Sequence, residues 1–265
     1  MESNKLVIRP SSLNGFLQCP QQWYQVFLLG KQGIPNARAA IGTAIHAGVE
    51  TMWNDSITAK TKIVAKSAME DAAMEALEEE SQKGLRYDAN EDEATAISTI
   101  RTGMTTFVND ILPWTDIPTA VEQRFTVNID NHCIVAAISG TLDYVNTDTG
   151  FIADVKTGKR KHNTADSEIQ QSIYKYLVEE NGVTVNGAVI QNVVLKTKPE
   201  GHTMDSAINL PRAKAIVNTL LDTLDVYNED IVDPDIIFRG NPKWYLCSPK
   251  YCAFWGDCKF VGHTK

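Results

Sequence analysis

The sequence predicts an α/β fold, a mixed central sheet flanked by helices, with a helical section before it and a cysteine-rich tail after it. Three observations predict it. Helical periodicity dominates the chain up to about residue 112. Strand-like runs follow at about 119–129, 132–139, 140–147 and 151–157, then a helix, then a Val- and Ile-rich strand at 186–197. A turn at Asp148-Thr149-Gly150 folds two of these runs into a hairpin, with Asp143 on one strand and Asp154-Val155-Lys156 on the other.

The elements follow in order. Ser11 caps a short helix to about residue 18, and Pro20 opens another that ends near Gly30. Residues 33–35 are loop, and 39–53 are helical. Residues 58–82 form a long amphipathic helix with an acidic face, closed by Gly84, and 91–112 form another that stops at Pro113. After the strands at 119–157 come a helix at 166–180 with a Gly182 stop, the 186–197 strand and a helix at about 211–228. The tail, 230–265, has prolines, aromatics and three cysteines but little periodicity. The chain is expected to form one domain over 1–265: a helical section (11–115), an α/β core (116–229) and the tail (230–265).

Hydrophobic content of 43% and charged content of 22% are ordinary for a globular protein. The polar start, and the lack of any run approaching the roughly 18–20 apolar residues of a membrane span, lead us to expect a cytoplasmic protein with no membrane partner. A net charge of −8 argues against broad nucleic-acid binding, but the run Lys156–His162, with Lys159, Arg160 and Lys161, is locally basic and adjoins the acids. Gly158-Lys159 is no nucleotide-phosphate loop, because Ala153 stands where the first glycine belongs and Arg160 where Ser or Thr belongs.

Two carboxylates and an ammonium on one strand face are costly unless a divalent cation sits between the acids. Further residues join them. His46 offers an imidazole one turn after Gly42, which permits close backbone approach. Glu50, one turn further, can orient His46 or reach a metal through water. Gln170 and Tyr174 share one face of the following helix. Four of the five cysteines, Cys19, Cys247, Cys252 and Cys258, suggest a metal centre, either zinc or a [4Fe–4S] cluster, while Cys133 reads as a buried apolar residue.

The ordered set Gly42…His46, Gly140-x-x-Asp143, Asp154-x-Lys156 and Gln170-x-x-x-Tyr174 resembles the RecB-type branch of the PD-(D/E)XK nuclease superfamily. Ser11-x-Leu13-x-x-Phe16-x-x-Cys19-Pro20 and the three C-terminal cysteines resemble its iron–sulfur subset, which includes the AddB nuclease domain, the CRISPR-adaptation nuclease and phage-encoded stand-alone exonucleases. That subset has Cys-x2-Cys-x5-Cys at this end, whereas the first gap here is four residues.

The resemblance implies a restriction-endonuclease-like core. It implies Mg²⁺ or Mn²⁺ on His46, Asp143, Asp154 and the Val155 carbonyl, with Glu168 or Glu122 as candidate ligands of a second ion. Lys156 would hold the attacking water, and Gln170 and Tyr174, with Lys159 and Arg160, would bind the DNA strand. Cys19, Cys247, Cys252 and Cys258 would hold a [4Fe–4S] cluster, with Zn²⁺ as the alternative. The implied activity is exonucleolytic hydrolysis of single-stranded or resected DNA ends, in recombination and repair or in phage DNA metabolism. The alternatives are a structure-specific endonuclease and a non-catalytic DNA- or partner-binding module. Implied partners are DNA and a helicase, recombinase or single-strand-annealing protein, in the host cytoplasm if the chain is phage-encoded. Oligomeric state is left open.

Overall fold

A computed structural model of the chain describes residues 5–33, 36–88, 91–227, 232–249 and 251–261. Parts of three sequence expectations lie outside these residues: the loop at 34–35, the helix end at 228 and the tail at 230–231, 250 and 262–265.

The chain opens with a strand the sequence did not announce, β1 (Leu6–Ile8), which is too short to display an alternation. Helix α1 (Pro10–Gln18) begins one residue before the expected cap, because Pro10 occupies the first turn with Arg9 at the N-cap. Helix α2 (Pro20–Trp23) passes into a π-turn at Tyr24–Leu28.

Helix α3 (Ala37–Ala59) is longer than expected. Asn36 caps its start by accepting the Arg38 N–H at 2.8 Å, and Lys60, at φ 54, ends it. The next helix is correspondingly shorter: α4 (Lys66–Gln82) starts after a turn in which Ser56 Oγ accepts the Ile63 N–H at 3.0 Å. Helix α5 (Glu93–Thr106), capped by Asp92, runs into a π-turn at Phe107–Ile111 and ends in a 3₁₀ turn at Leu112–Trp114.

The remaining strands are β2 (Gln123–Asn128), β3 (Val135–Leu142), β4 (Tyr144–Asn146), β5 (Phe151–Gly158), β6 (Gly187–Val194) and β7 (Glu200–Ser206). They form two sheets, ordered β1-β3-β2 and β4-β5-β6-β7. The chain therefore changes sheet between Leu142 and Tyr144, and Asp143 stands at that bend rather than on a hairpin strand. Strand β5 is antiparallel to β4 and parallel to β6; helix α6 (Thr164–Glu180) makes the crossover. Strand β7, polar on both faces, adds antiparallel to β6 at the sheet edge and carries no apolar period to betray it. Helix α7 (Leu210–Val226) packs on α6, and a short helix, α8 (Pro234–Ile237), leads into the tail.

Two cores sandwich the second sheet. On one side α3, α4 and α5 bury Ile45, Met52, Trp53 and Phe107 against Tyr144, Ala153 and Val155. On the other, α1, α6 and α7 bury Leu13, Ile173, Leu177 and Leu220 against Ile138, Leu142 and Ile152. Phe238 is fully buried, stacks on Tyr24 at 4.9 Å and packs on Trp23, which docks the tail on the N-terminal helices. Cys133, expected to be buried in a strand, is exposed in the turn before β3.

Gly48 marks the tightest helix contact: a Cβ there would lie 2.9 Å from the Met69 carbonyl, a backbone atom that cannot swing aside. Gly48→Val is expected to destabilise the fold by about 1–3 kcal/mol through overpacking, read as a lower midpoint in thermal or urea unfolding.

Candidate active site and cysteine cavity

Alternation along β5 sends Ile152, Asp154 and Lys156 toward α6, and Ala153 and Val155 toward α3. Asp154 is 4% exposed, a deeply buried carboxylate. The Lys156 ammonium lies 2.7 Å from its Oδ2 and donates to its Oδ1 at 3.0 Å. Oδ2 is buried, and the Lys156 ammonium is its close cationic contact.

Asp143 meets β5 through its backbone. Its Oδ2 accepts the Val155 N–H at 2.6 Å and lies 3.7 Å from His46 Nδ1, which arrives from α3. Gly42 makes that arrival feasible, because a Cβ there would stand 2.8 Å from Thr157 Oγ1 on β5. The Val155 carbonyl accepts a hydrogen bond from His46, and the Asp154 charge acts on both His46 and Asp143. Glu122 joins them: it, His46 and Asp143 each offer a ligand atom within 4.8 Å of the others. Of the two proposed second-ion carboxylates, Glu122 is thus at the site, whereas Glu168 pairs with Arg212 at 3.1 Å. Glu50 acts on Glu122 through its charge.

The electrostatics are those of crowded acids. Burial, then the Asp154 charge, pushes Asp143 up to about 7. Burial, then the charges of Asp143 and Glu50, raises Glu122 in the same direction. Burial lowers His46, which keeps its imidazole neutral and able to ligate. A divalent cation answers each of these: it would neutralise the acids and accept a neutral imidazole. The residues present therefore fit Mg²⁺ or Mn²⁺.

Gln170 and Tyr174 lie on the α6 face expected for them, but their polar atoms are turned into the site. Gln170 Oε1 accepts from Lys156 Nζ at 3.2 Å, and its Nε2 donates to Asp154 Oδ1 at 3.2 Å and to the Tyr174 hydroxyl at 3.0 Å. Burial, then the Asp154 charge, raises the Tyr174 phenol well above its ordinary value, so it stays a neutral hydrogen-bonding group. The basic loop is split. Lys159 donates to Glu91 at 2.8 Å, the same carboxylate that Arg38 approaches, and Arg160 is exposed.

Sequence reasoning missed Asn192. Its Nδ2 donates to the Lys156 carbonyl at 2.9 Å and its Oδ1 accepts the His162 N–H at 2.8 Å, so it fixes the backbone beneath Lys156 and the loop after it. The visible signal was a polar residue, fully buried, inside the Val-rich β6 run.

Cys19, Cys247, Cys252 and Cys258 line one cavity of about 290 Å³, walled by Trp244, Phe254 and Phe260. Burial, then Cys19 and Cys258, raises the Cys247 thiol, and burial raises Cys252. Four thiols lining one cavity supply the donor chemistry of a thiophilic metal centre. A lone ion with Zn–S bonds of about 2.3 Å would leave much of this cavity empty.

A family model described as the PD-(D/E)XK nuclease superfamily matches residues 8–259. No curated protein matches the sequence. Among solved structures, one described as "Putative exonuclease" from Eubacterium rectale superposes with a TM-score of 0.59 at 12% identity, covering 91% of each chain. At that identity the likeness is one of fold. Another, named SSO0001, gives a TM-score of 0.42 at 13% identity over 98% of this chain and 89% of its own, too loose to argue from.

Because folding raises Asp143 to about 7 from an ordinary carboxylate value near 4, the metal-free folded state takes up a proton between those limits. That contribution to stability is full below about pH 4 and is lost as pH rises through 7. Asp143→Asn is therefore expected to raise the melting temperature of the metal-free protein at pH 7.5, by on the order of 2 kcal/mol in stability, and to flatten its decline between pH 5 and 7.5. A thermal-melt series with chelator at several pH values measures this directly.

Proposed function

The chain belongs to the PD-(D/E)XK nuclease superfamily, and on that premise we propose that it is an Mg²⁺- or Mn²⁺-dependent deoxyribonuclease, an exonuclease that acts on single-stranded or resected DNA ends. One observation carries the reading: His46, Glu122 and Asp143 each offer a ligand atom within 4.8 Å of the others, and the charge of the buried Asp154 acts on Asp143 and His46. The exonuclease part draws support from the description of the Eubacterium rectale chain of like fold.

In this reading His46, Asp143, Asp154 and the Val155 carbonyl hold the ion, with Glu122 as ligand of a second. When bound, the ion supplies Lewis-acid polarisation of the scissile phosphate and acidifies a neighbouring water. Lys156 holds the attacking water and offsets charge building on the phosphorus. Gln170 keeps the ammonium and Asp154 in register, and Asn192 braces the Lys156 backbone. Lys159, Arg160 and the Tyr174 edge contact the strand. Lys159 would exchange Glu91 for a phosphate, an exchange of one anion for another. The biological setting is recombination, repair or phage DNA metabolism in the cytoplasm, beside a helicase, recombinase or annealing protein.

The four thiols in this reading hold a [4Fe–4S] cluster whose role is structural. It ties residue 19 to the tail, and closing so long a loop removes unfolded-state entropy worth on the order of 4 kcal/mol.

End-labelled linear and circular DNA incubated with Mn²⁺ and anaerobically handled protein test the activity. Linear DNA is expected to be degraded from its ends while circles survive, and Asp154→Ala and Lys156→Ala should each lose at least about a hundredfold in rate. Cleaved circles would overturn the exonuclease reading, and undiminished rates in both variants would overturn the site. Cys19→Ala is expected to lose the brown cluster absorbance and melt earlier; a colourless wild type carrying zinc would replace iron with zinc.

A further inference from the structure

A second cleft, of about 480 Å³, opens beside the site. Arg9, Ser11, Arg124, Ser139 and Thr141 line it, and the Tyr174 ring closes its inner wall. Tyr174 also bonds Gln170, which contacts both Asp154 and Lys156, so one ring separates the cleft from the acids.

The sheet builds this cleft in register. Arg124 pairs with Thr141 and Thr126 with Ser139 across β2 and β3, and the two hydroxyls of the latter pair lie 2.8 Å apart. Just beyond the paired residues, where β2 begins and β3 gives way to the bend, stand Glu122 and Asp143, the acidic pair of the site. The ribbon thus runs from hydroxyls, through an arginine, to the metal-binding carboxylates. With a rise of about 3.3 Å per residue, Thr141 and Ser139 stand roughly 7 and 13 Å from Asp143, about the reach of one or two nucleotides. Arg9 enters from the far side, directly after β1, which is parallel to β3.

Charge sets the ligand. In a chain of net charge −8, neither Arg9 nor Arg124 lies within 4.0 Å of a carboxylate among the described residues. Helix α1 begins on the cleft floor without a side-chain cap, adding its positive end to the two guanidinium groups. Two guanidinium groups with no carboxylate partner, beside the Thr141 and Ser139 hydroxyls, are the complement of a phosphate, although Ser139 also bonds the Phe125 carbonyl and the Thr126 hydroxyl. Gly140 lets the Tyr174 ring close on the strand, since a Cβ there would strike that ring at 2.7 Å.

We infer that this cleft holds a backbone phosphate of the DNA strand being cut, one or two nucleotides from the scissile bond, through Arg9, Arg124 and the Thr141 and Ser139 hydroxyls. The inference rests on the reading that the neighbouring site hydrolyses DNA, and its test separates the two. Short single-stranded oligonucleotides carrying one uncharged methylphosphonate linkage, moved one position at a time, are offered with Mn²⁺ to the wild type, Arg9→Gln and Arg124→Gln. A neutral linkage near the cleaved bond should slow the wild type roughly tenfold, with KM more affected than kcat. Arg124→Gln should be slow on the fully charged strand and indifferent to that linkage. Additive losses from variant and linkage would overturn the inference.

Fluorescence anisotropy in chelator, without any cleavage, supplies the independent arm. Each arginine variant should bind the strand about tenfold more weakly and lower the slope of log K against log salt by about 0.7, while Arg124→Lys restores the slope. An unchanged slope overturns the cleft whatever the activity. If the wild type binds with the full slope yet cuts no DNA, the nuclease reading fails and the phosphate cleft stands. Unaltered melting temperatures, expected for exposed arginines, exclude misfolding as the cause.

Discussion

One backbone amide organises the site. The Val155 N–H donates to Asp143 at 2.6 Å where the chain passes from β3 in one sheet to β4 in the other. A carboxylate taken out of a strand and pinned to the middle of the next sheet cannot retreat from Asp154 on the neighbouring residue. Burial, and then that proximity, raises Asp143, and burial with the charges of Asp143 and Glu50 raises Glu122. A hydrogen bond from an amide offsets part of the charge, and a divalent cation would offset the remainder.

The surrounding structure serves to keep those charges where they are. Gln170 divides its amide between Lys156, Asp154 and Tyr174, so one buried side chain ties the acid, the ammonium and the phenol together. Asn192 holds the backbone of Lys156 from the adjacent strand. Gly42 allows α3 close enough to β5 for His46 to reach Asp143, and the Trp53–Tyr144 contact, ring centres 6.0 Å apart, sets the angle of that helix on β4. At the other end, Phe238 stacked on Tyr24 seats the tail on the N-terminal helices, and the four cysteines meet in one cavity as a consequence.

Much of this was legible in the residues. The order of helices and strands, the shared face of Asp154 and Lys156 and the glycine before His46 all follow from local periodicity and spacing, and each appears in the fold. What failed to read did so for physical reasons. Strand β1 is three residues long, and β7 is polar on both faces, so neither carries a period. The end of α3 depends on one left-handed residue, Lys60, that is not a glycine. Asp143 looked like a strand residue because its neighbours on both sides are strand residues; only the change of sheet makes it a bend.

The sequence by itself determined which chemistry is available: two acids, a lysine and a histidine at helical and strand spacings, and four thiols near the two ends. It did so because those spacings are local, set by 3.6 residues per helical turn and two per strand pleat. Only the tertiary structure decided that Glu122 rather than Glu168 stands with His46 and Asp143, that Gln170 and Tyr174 face inward, and that Arg9 and Arg124 share a cleft. These juxtapositions join residues far apart in the chain, and sheet pairing and helix packing bring them together, not any local period.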